Sequence, residues 1–199
     1  MDESKKEIKK IVFLQHLLNG KYIPVRVLIN NKVHHQLYRI DAKISEEIKQ
    51  VIKQMAEIEI KNLMYEGKKI PDFNFTDLEG KSYNDKNTKG KVIVMKLWFI
   101  GCKVCIQEMP QLNELVQKYS NRNDIIFLSL ALDKSQKLKE FLHKTTFKYA
   151  VVADKEKYIN EDLQINEFPT HIIVNRKGVI VKVFSSAKFL PNVLSNTLK

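Results

Sequence analysis

This chain of 199 residues has only two cysteines, one tryptophan, six glycines and five prolines. Each scarcity excludes something. A structural disulfide framework needs more cysteines, spaced farther apart, than the pair at 102 and 105. Little glycine and proline, with 44% hydrophobic and 29% charged residues, argues against wholesale disorder and leaves enough apolar mass for a buried core. No apolar run approaches the roughly 20 residues of a membrane span. The start, MDESKKEIKK, is polar, and the patch Ile11–Leu14 is too short for a signal h-region and is broken by Gln15 and His16. The expectation is a cytosolic protein or one whose export signal has been removed from this chain. Histidines 16, 34, 35, 143 and 171 show no His-x3–5-His pairing. His34 and His35, adjacent on a strand, point to opposite faces, so no metal is expected. The net charge of +11 comes from lysines spread along the whole chain with acids between them. That distribution implies a solvated basic surface and no nucleic-acid partner.

What is present centres on Gly90–Pro110, GKVIVMKLWFIGCKVCIQEMP. A turn glycine leads into the apolar strand Val92–Phe99, the chain bends at Gly101, and Cys-x-x-Cys opens an amphipathic helix. A strand that delivers two cysteines to the first turn of a helix is a redox arrangement.

The flanking pattern supplies a scaffold. Residues 1–68 read as an N-terminal α+β extension without visible chemistry: a short helix to Asn19-Gly20, strands at Tyr22–Asn30 and Lys32–Ile40, then a long helix capped by Ser45 and ended by Gly67. Ile70-Pro71-Asp72-Phe73 marks a boundary, and residues 69–199 form the second domain. In it, Phe73–Thr76 alternates like an edge strand and Ser82–Lys89 reads as polar loop. Helices are expected at Cys105–Ser120, Lys134–Lys144, Glu156–Leu163 and 188–198. Strands are expected at Asp124–Leu132, Tyr149–Ala153, His171–Asn175 and Val179–Phe184, the last two joined by the turn Asn175–Gly178. Alternating strands and helices demand an α/β fold: a parallel core with helices on both faces, and a final hairpin that adds an antiparallel edge, making the sheet mixed.

Dithiol–disulfide exchange needs one ionised, accessible sulfur and a second within reach. Cys102, at the strand-to-helix corner, gains from unpaired backbone N–H groups and the helix dipole, so it is assigned as nucleophile. Cys105, one turn later, is the resolver, and Lys103 adds positive charge. Trp98 and Phe99 provide an apolar wall for a partner. Glu108 falls three residues after Cys105, on the same helix face. Turned to the sheet, it would be desolvated, with a raised pKa, and able to exchange a proton with the thiols. Turned to water, it only complements the dipole. Phe168-Pro169-Thr170 reads either as an ordinary strand start or as a cis-proline loop offering backbone groups to an extended peptide.

These motifs resemble the thioredoxin-fold disulfide oxidoreductases of the TlpA/ResA type. The resemblance covers about residues 70–199 and rests on PDF at 71–73 with DLEGK following, GK-VIVMKLWF, Cys-x-x-Cys followed by Glu108 and Pro110, Phe168-Pro169-Thr170, and NRKG. It implies a thioredoxin-like domain with a cis Pro169 beside Cys102 and Glu108 as the buried acid of that branch. It also implies no cofactor beyond the redox-active cysteine pair. It implies work outside the cytoplasm, in the bacterial envelope or periplasm near a membrane, as a monomer that reduces partner-protein disulfides, with an upstream thiol reductant and a link to cytochrome c-type biogenesis. Two departures stand out: Phe99-Ile100-Gly101 before the first cysteine, and Lys103-Val104 between the cysteines. The rivals are a peroxiredoxin-related thiol peroxidase and a non-catalytic binding module. The first needs Thr or Ser three residues before the peroxidatic cysteine and Pro seven before. Phe99 and Met95 occupy those positions, so the hydroxyl that would organise the transition state is missing.

Overall fold

The computed structural model describes residues 1–40 and 44–199, in two compact units, Met1–Met64 and Tyr65–Lys199. In the first, α1 (Lys10–Leu18) turns Leu14 and Leu17 toward Leu37 and Ala56. The strands β1 (Tyr22–Ile29) and β2 (Lys32–Arg39) form an antiparallel hairpin. Its turn residues Asn30 and Asn31 both have positive φ, 49° and 61°, the geometry that asparagine tolerates in a two-residue hairpin loop. Helix α2 (Glu46–Tyr65) begins after Ser45, whose Oγ accepts from the Ile48 N–H at 3.4 Å.

The second unit is built on a five-stranded sheet in the order β7-β6-β5-β8-β9. These strands are β5 (Val92–Trp98), β6 (Ile125–Ala131), β7 (Ala150–Val152), β8 (Thr170–Val174) and β9 (Ile180–Phe184). The β7–β6 and β6–β5 pairings are parallel. β8 pairs antiparallel with β5, next to the centre of the sheet, and β9 follows it. The antiparallel pairings thus come from the β8–β9 hairpin, which forms one side of a mixed sheet as the sequence pattern implied. Every residue of β5 is buried, which explains its unbroken apolar run.

Alternation sorts the strand residues between two cores. Ile93, Met95 and Leu97 join Leu128, Leu130, Ile172 and Val174 on one face, covered by Phe73, Phe75, Tyr158 and Ile159. Val92 and Val94 face Leu112, Leu115 and Leu190 on the other, and Trp98 on that face meets Cys105, Met109 and Leu138.

Three local expectations are corrected. Ser82–Lys89 is not loop: β4 (Ser82–Asn84) pairs with β3 (Asn74–Thr76), and α3 (Asp85–Thr88) follows behind a reciprocal Asn84–Asn87 capping box. The cysteine helix starts at Lys103 and is two pieces, α4 (Lys103–Gln107) and α5 (Met109–Lys118), meeting at Glu108. Pro110 lies in the first turn of α5, and it has no N–H to bond back to Ile106. The segment after β7 is a π-turn, Tyr158–Asp162, closed by the Leu163 N–H to Tyr158 C=O bond at 2.9 Å. The wider turn brings Tyr158, Ile159 and Leu163 all into the core. After β6 comes α6 (Ser135–Leu142), and the last elements are a 3-10 turn, Ala187–Phe189, and α7 (Leu190–Thr197), with Pro191 in its first turn.

Candidate active site

Cys102 and Cys105 form a disulfide. Cys102 is the N-cap of α4, and its sulfur accepts from the Cys105 N–H at 3.2 Å. Cys102 is 9% exposed and Cys105 is 0% exposed, so an incoming sulfur meets Cys102 first. The loop that carries them is pinned from below, because the Ile100 N–H donates to the Asp133 carboxylate at 2.8 Å.

Around the sulfurs the structure separates the expected binding residues. Phe99 and Phe168 are half-buried, pack on the cysteine cluster and meet edge to face at 5.5 Å between centroids. They form an apolar rim. Trp98 does not: it is 0% exposed, with its ring against Phe141 and Phe147. It faces the helix side of the sheet and is core, which corrects the expectation of a partner-facing wall. The Phe168–Pro169 peptide is cis. Thr170 is buried, and its hydroxyl donates to the Glu167 carbonyl at 2.6 Å, so its side chain is spent on the loop itself.

Glu108 is turned inward, with 12% of its side chain exposed. Oε2 accepts from Lys96 Nζ at 2.8 Å and from His171 Nε2 at 2.9 Å, and Oε1 accepts from the Ala187 N–H at 2.8 Å. Lys96 and His171 are both fully buried. They are direct cross-strand partners on β5 and β8, and Ser129 on β6 continues the row. A carboxylate on the cysteine helix thus sits over a polar row cut into an otherwise apolar face.

The electrostatics reverse the expected shift. Burial pushes the Glu108 carboxyl up, but the hydrogen bond and charge of His171, the Ala187 N–H and Lys96 together pull it down to about 2. Burial lowers Lys96, with the Glu108 carboxylate resisting. Burial also lowers His171; Glu108 opposes this, while the positive charge of Lys96 adds to it. His171 donates to Glu108 through Nε2, and its buried Nδ1 has no hydrogen-bond partner among the described residues. The sequence reading passed over Lys96 and His171. The signal was there: a lone charge inside VIVMKLW and a lone imidazole inside THIIV, since a polar residue in a fully buried strand is the informative exception.

A mixed five-stranded sheet with Cys-x-x-Cys at the end of its central strand, opening a helix and facing a cis-proline loop, defines a thioredoxin-like dithiol–disulfide protein. The family model described as Redoxin matches residues 65–193, and the chain belongs to that family. It is 34% identical over 122 residues to the thiol-disulfide oxidoreductase ResA of Bacillus anthracis, covering 61% of this chain and 70% of that one. It is 32% identical over 117 residues to the thioredoxin-like protein YneN of Bacillus subtilis, covering 58% and 68%. Among solved structures, the thiol:disulfide interchange protein DsbE of Chlorobium tepidum superposes with a TM-score of 0.61 at 21% identity, covering 67% of this chain and 98% of that one. The thioredoxin domain of a Bacteroides vulgatus thiol-disulfide oxidoreductase gives 0.60 at 24%, with the same coverage. The two structures carry the likeness of fold, and the relatives carry the activity. The chain is a TlpA/ResA-type thiol-disulfide oxidoreductase acting on dithiols and disulfides of proteins.

Proposed function

We propose that this protein works as a reductase of partner disulfides, with Cys102 as nucleophile and Cys105 as resolver. The reduced Cys102 thiolate attacks one sulfur of a partner disulfide. The partner S–S bond breaks, its other sulfur leaves as thiolate, and a mixed disulfide forms. Cys105 gives up its proton and attacks the Cys102 sulfur, so the partner departs as a dithiol and the Cys102–Cys105 disulfide is restored. Two electrons pass from the protein dithiol to the partner, and an upstream thiol reductant returns them. The pair is the whole redox equipment, with no further cofactor or metal. Phe99 and Phe168 give the partner an apolar landing beside the sulfur.

The observation that supports this reading most is the asymmetry of the pair: Cys102 reaches the surface while Cys105 is sealed. We place the protein outside the cytoplasm, in the bacterial envelope or periplasm near a membrane, as a monomer. No helix among the described residues is long and apolar enough to cross a membrane. Equilibration of the full chain in defined glutathione buffers tests the direction. A two-electron transition near or below about −270 mV, the thioredoxin value, agrees with a reductase. A transition near about −120 mV, the DsbA value, would make it an oxidant instead.

A further inference from the structure

We propose that Lys96 and His171 are positioning residues that keep Glu108 a permanent carboxylate. Glu108 then anchors the cysteine helix to β5 and β8, and exchange at Cys102 and Cys105 runs without a proton relay through it. The inference rests on the exchange reading above and concerns how that site handles protons.

The geometry carries it. Glu108 faces a donor on every side that packs against it: Lys96 Nζ from β5, His171 Nε2 from β8 and the Ala187 N–H from the segment after β9. A proton placed on Oε2 would displace Lys96 or His171, and one on Oε1 would crowd the backbone donor. Either leaves a buried donor unsatisfied, and loss of the carboxylate charge leaves Lys96 a buried cation without a counterion. The other polar groups around this point do not compensate. The Ser129 hydroxyl is directed to the Ala150 carbonyl at 3.3 Å, and the buried Tyr149 hydroxyl has no partner among the described residues. Cys105 lies three residues before Glu108, about 4.5 Å along the axis at helical rise. Lys96 also repels a proton from its cross-strand neighbour His171. Removal of Lys96 therefore frees the Glu108–His171 pair to take up a proton in the range where such pairs titrate.

The test uses the reduced, full-length protein. Its rate of exchange with a small aromatic disulfide is followed from pH 5 to 9. The Glu108 side-chain carboxyl is followed by carbon NMR, with its resonance assigned by its loss in Glu108→Gln. The wild type is expected to show one inflection, that of the attacking thiol, and a Glu108 resonance that stays put between pH 5 and 8. Lys96→Met is expected to gain a second inflection in that window. Lys96→Met/Glu108→Gln should lose it, and Lys96→Arg should show one inflection again. A Glu108 resonance that titrates between pH 5 and 8 in the wild type overturns the proposal, as does a single inflection in folded Lys96→Met. If Lys96→Met does not fold, the wild-type resonance decides alone. Exchange that survives Cys102→Ser would instead sink the underlying site assignment, whatever the profile looks like.

Discussion

Glu108→Gln should destabilise the second unit severely, even though it changes one oxygen into an amide nitrogen. The carboxylate is the counterion of a lysine with no exposed surface, and three donors converge on it. Breaking a buried ion pair from one side costs about 3–5 kcal/mol, because the surviving charge keeps its desolvation penalty. A domain of this size is stable by about 7–20 kcal/mol, so the loss is a large share of the total. With a urea dependence of about 2 kcal/mol per molar, the midpoint should fall by about 1.5–2.5 M. Trp98 is the chain's one tryptophan and lies in this unit, so its fluorescence reports the right transition. Lys96→Met/Glu108→Gln should recover most of the loss, since replacing both charges of a buried pair is often neutral. A Glu108→Gln midpoint within about 0.5 M of the wild type would show that Lys96 is not held as a buried cation, and the reasoning would fail.

Four further outcomes follow from the same geometry. Cys102→Ser should abolish exchange by the reduced protein, read as loss of turnover with any disulfide substrate. Phe168→Ser should lower kcat/KM for protein disulfides several-fold while leaving a small disulfide nearly unaffected, because it removes the landing surface and not the sulfur. Trp98→Ala should cost about 3–5 kcal/mol in calorimetric or denaturant unfolding, the usual range for a fully buried large aromatic. Stability should fall on acidification in two stages. His171, whose folded value lies below 6.5, stops contributing as pH drops below 6.5, where the unfolded chain takes the proton first. Glu108, held at about 2 against 4.5, gives its full contribution of about 3 kcal/mol above pH 4.5 and loses it toward pH 2. Urea midpoints at pH 7, 5 and 3 check both stages, and the lower one should be smaller in Glu108→Gln.

The parts of this molecule legible from the chain were those written in local pattern. Strand β6, the Asn175–Gly178 hairpin and the cysteine corner follow from apolar runs, turn residues and spacing. What escaped depended on contacts between distant segments. Ser82–Asn84 is too short and polar to announce itself as a strand, and it exists because β3 lies beside it. The π-turn at Tyr158–Asp162 is set by the core it must fill. The acidity of Glu108 could not be read from its neighbours in sequence, since its three partners come from residues 96, 171 and 187. Spacing left open whether it faces the sheet or water, and only the family resemblance implied that it is buried. Only the opposite wall decided whether it would be protonated there.

The pairing of Lys96 with His171 also bears on how β5 and β8 find each other. Strand side chains alternate, so a slip of one residue would turn a lysine or an imidazole into the greasy layer of Met95, Leu97 and Ile172. Two strands this uniformly oily have little else to tell one alignment from the next. The misfit polar pair makes the wrong alignments expensive, and so acts as a notch that lets the sheet close in only one way.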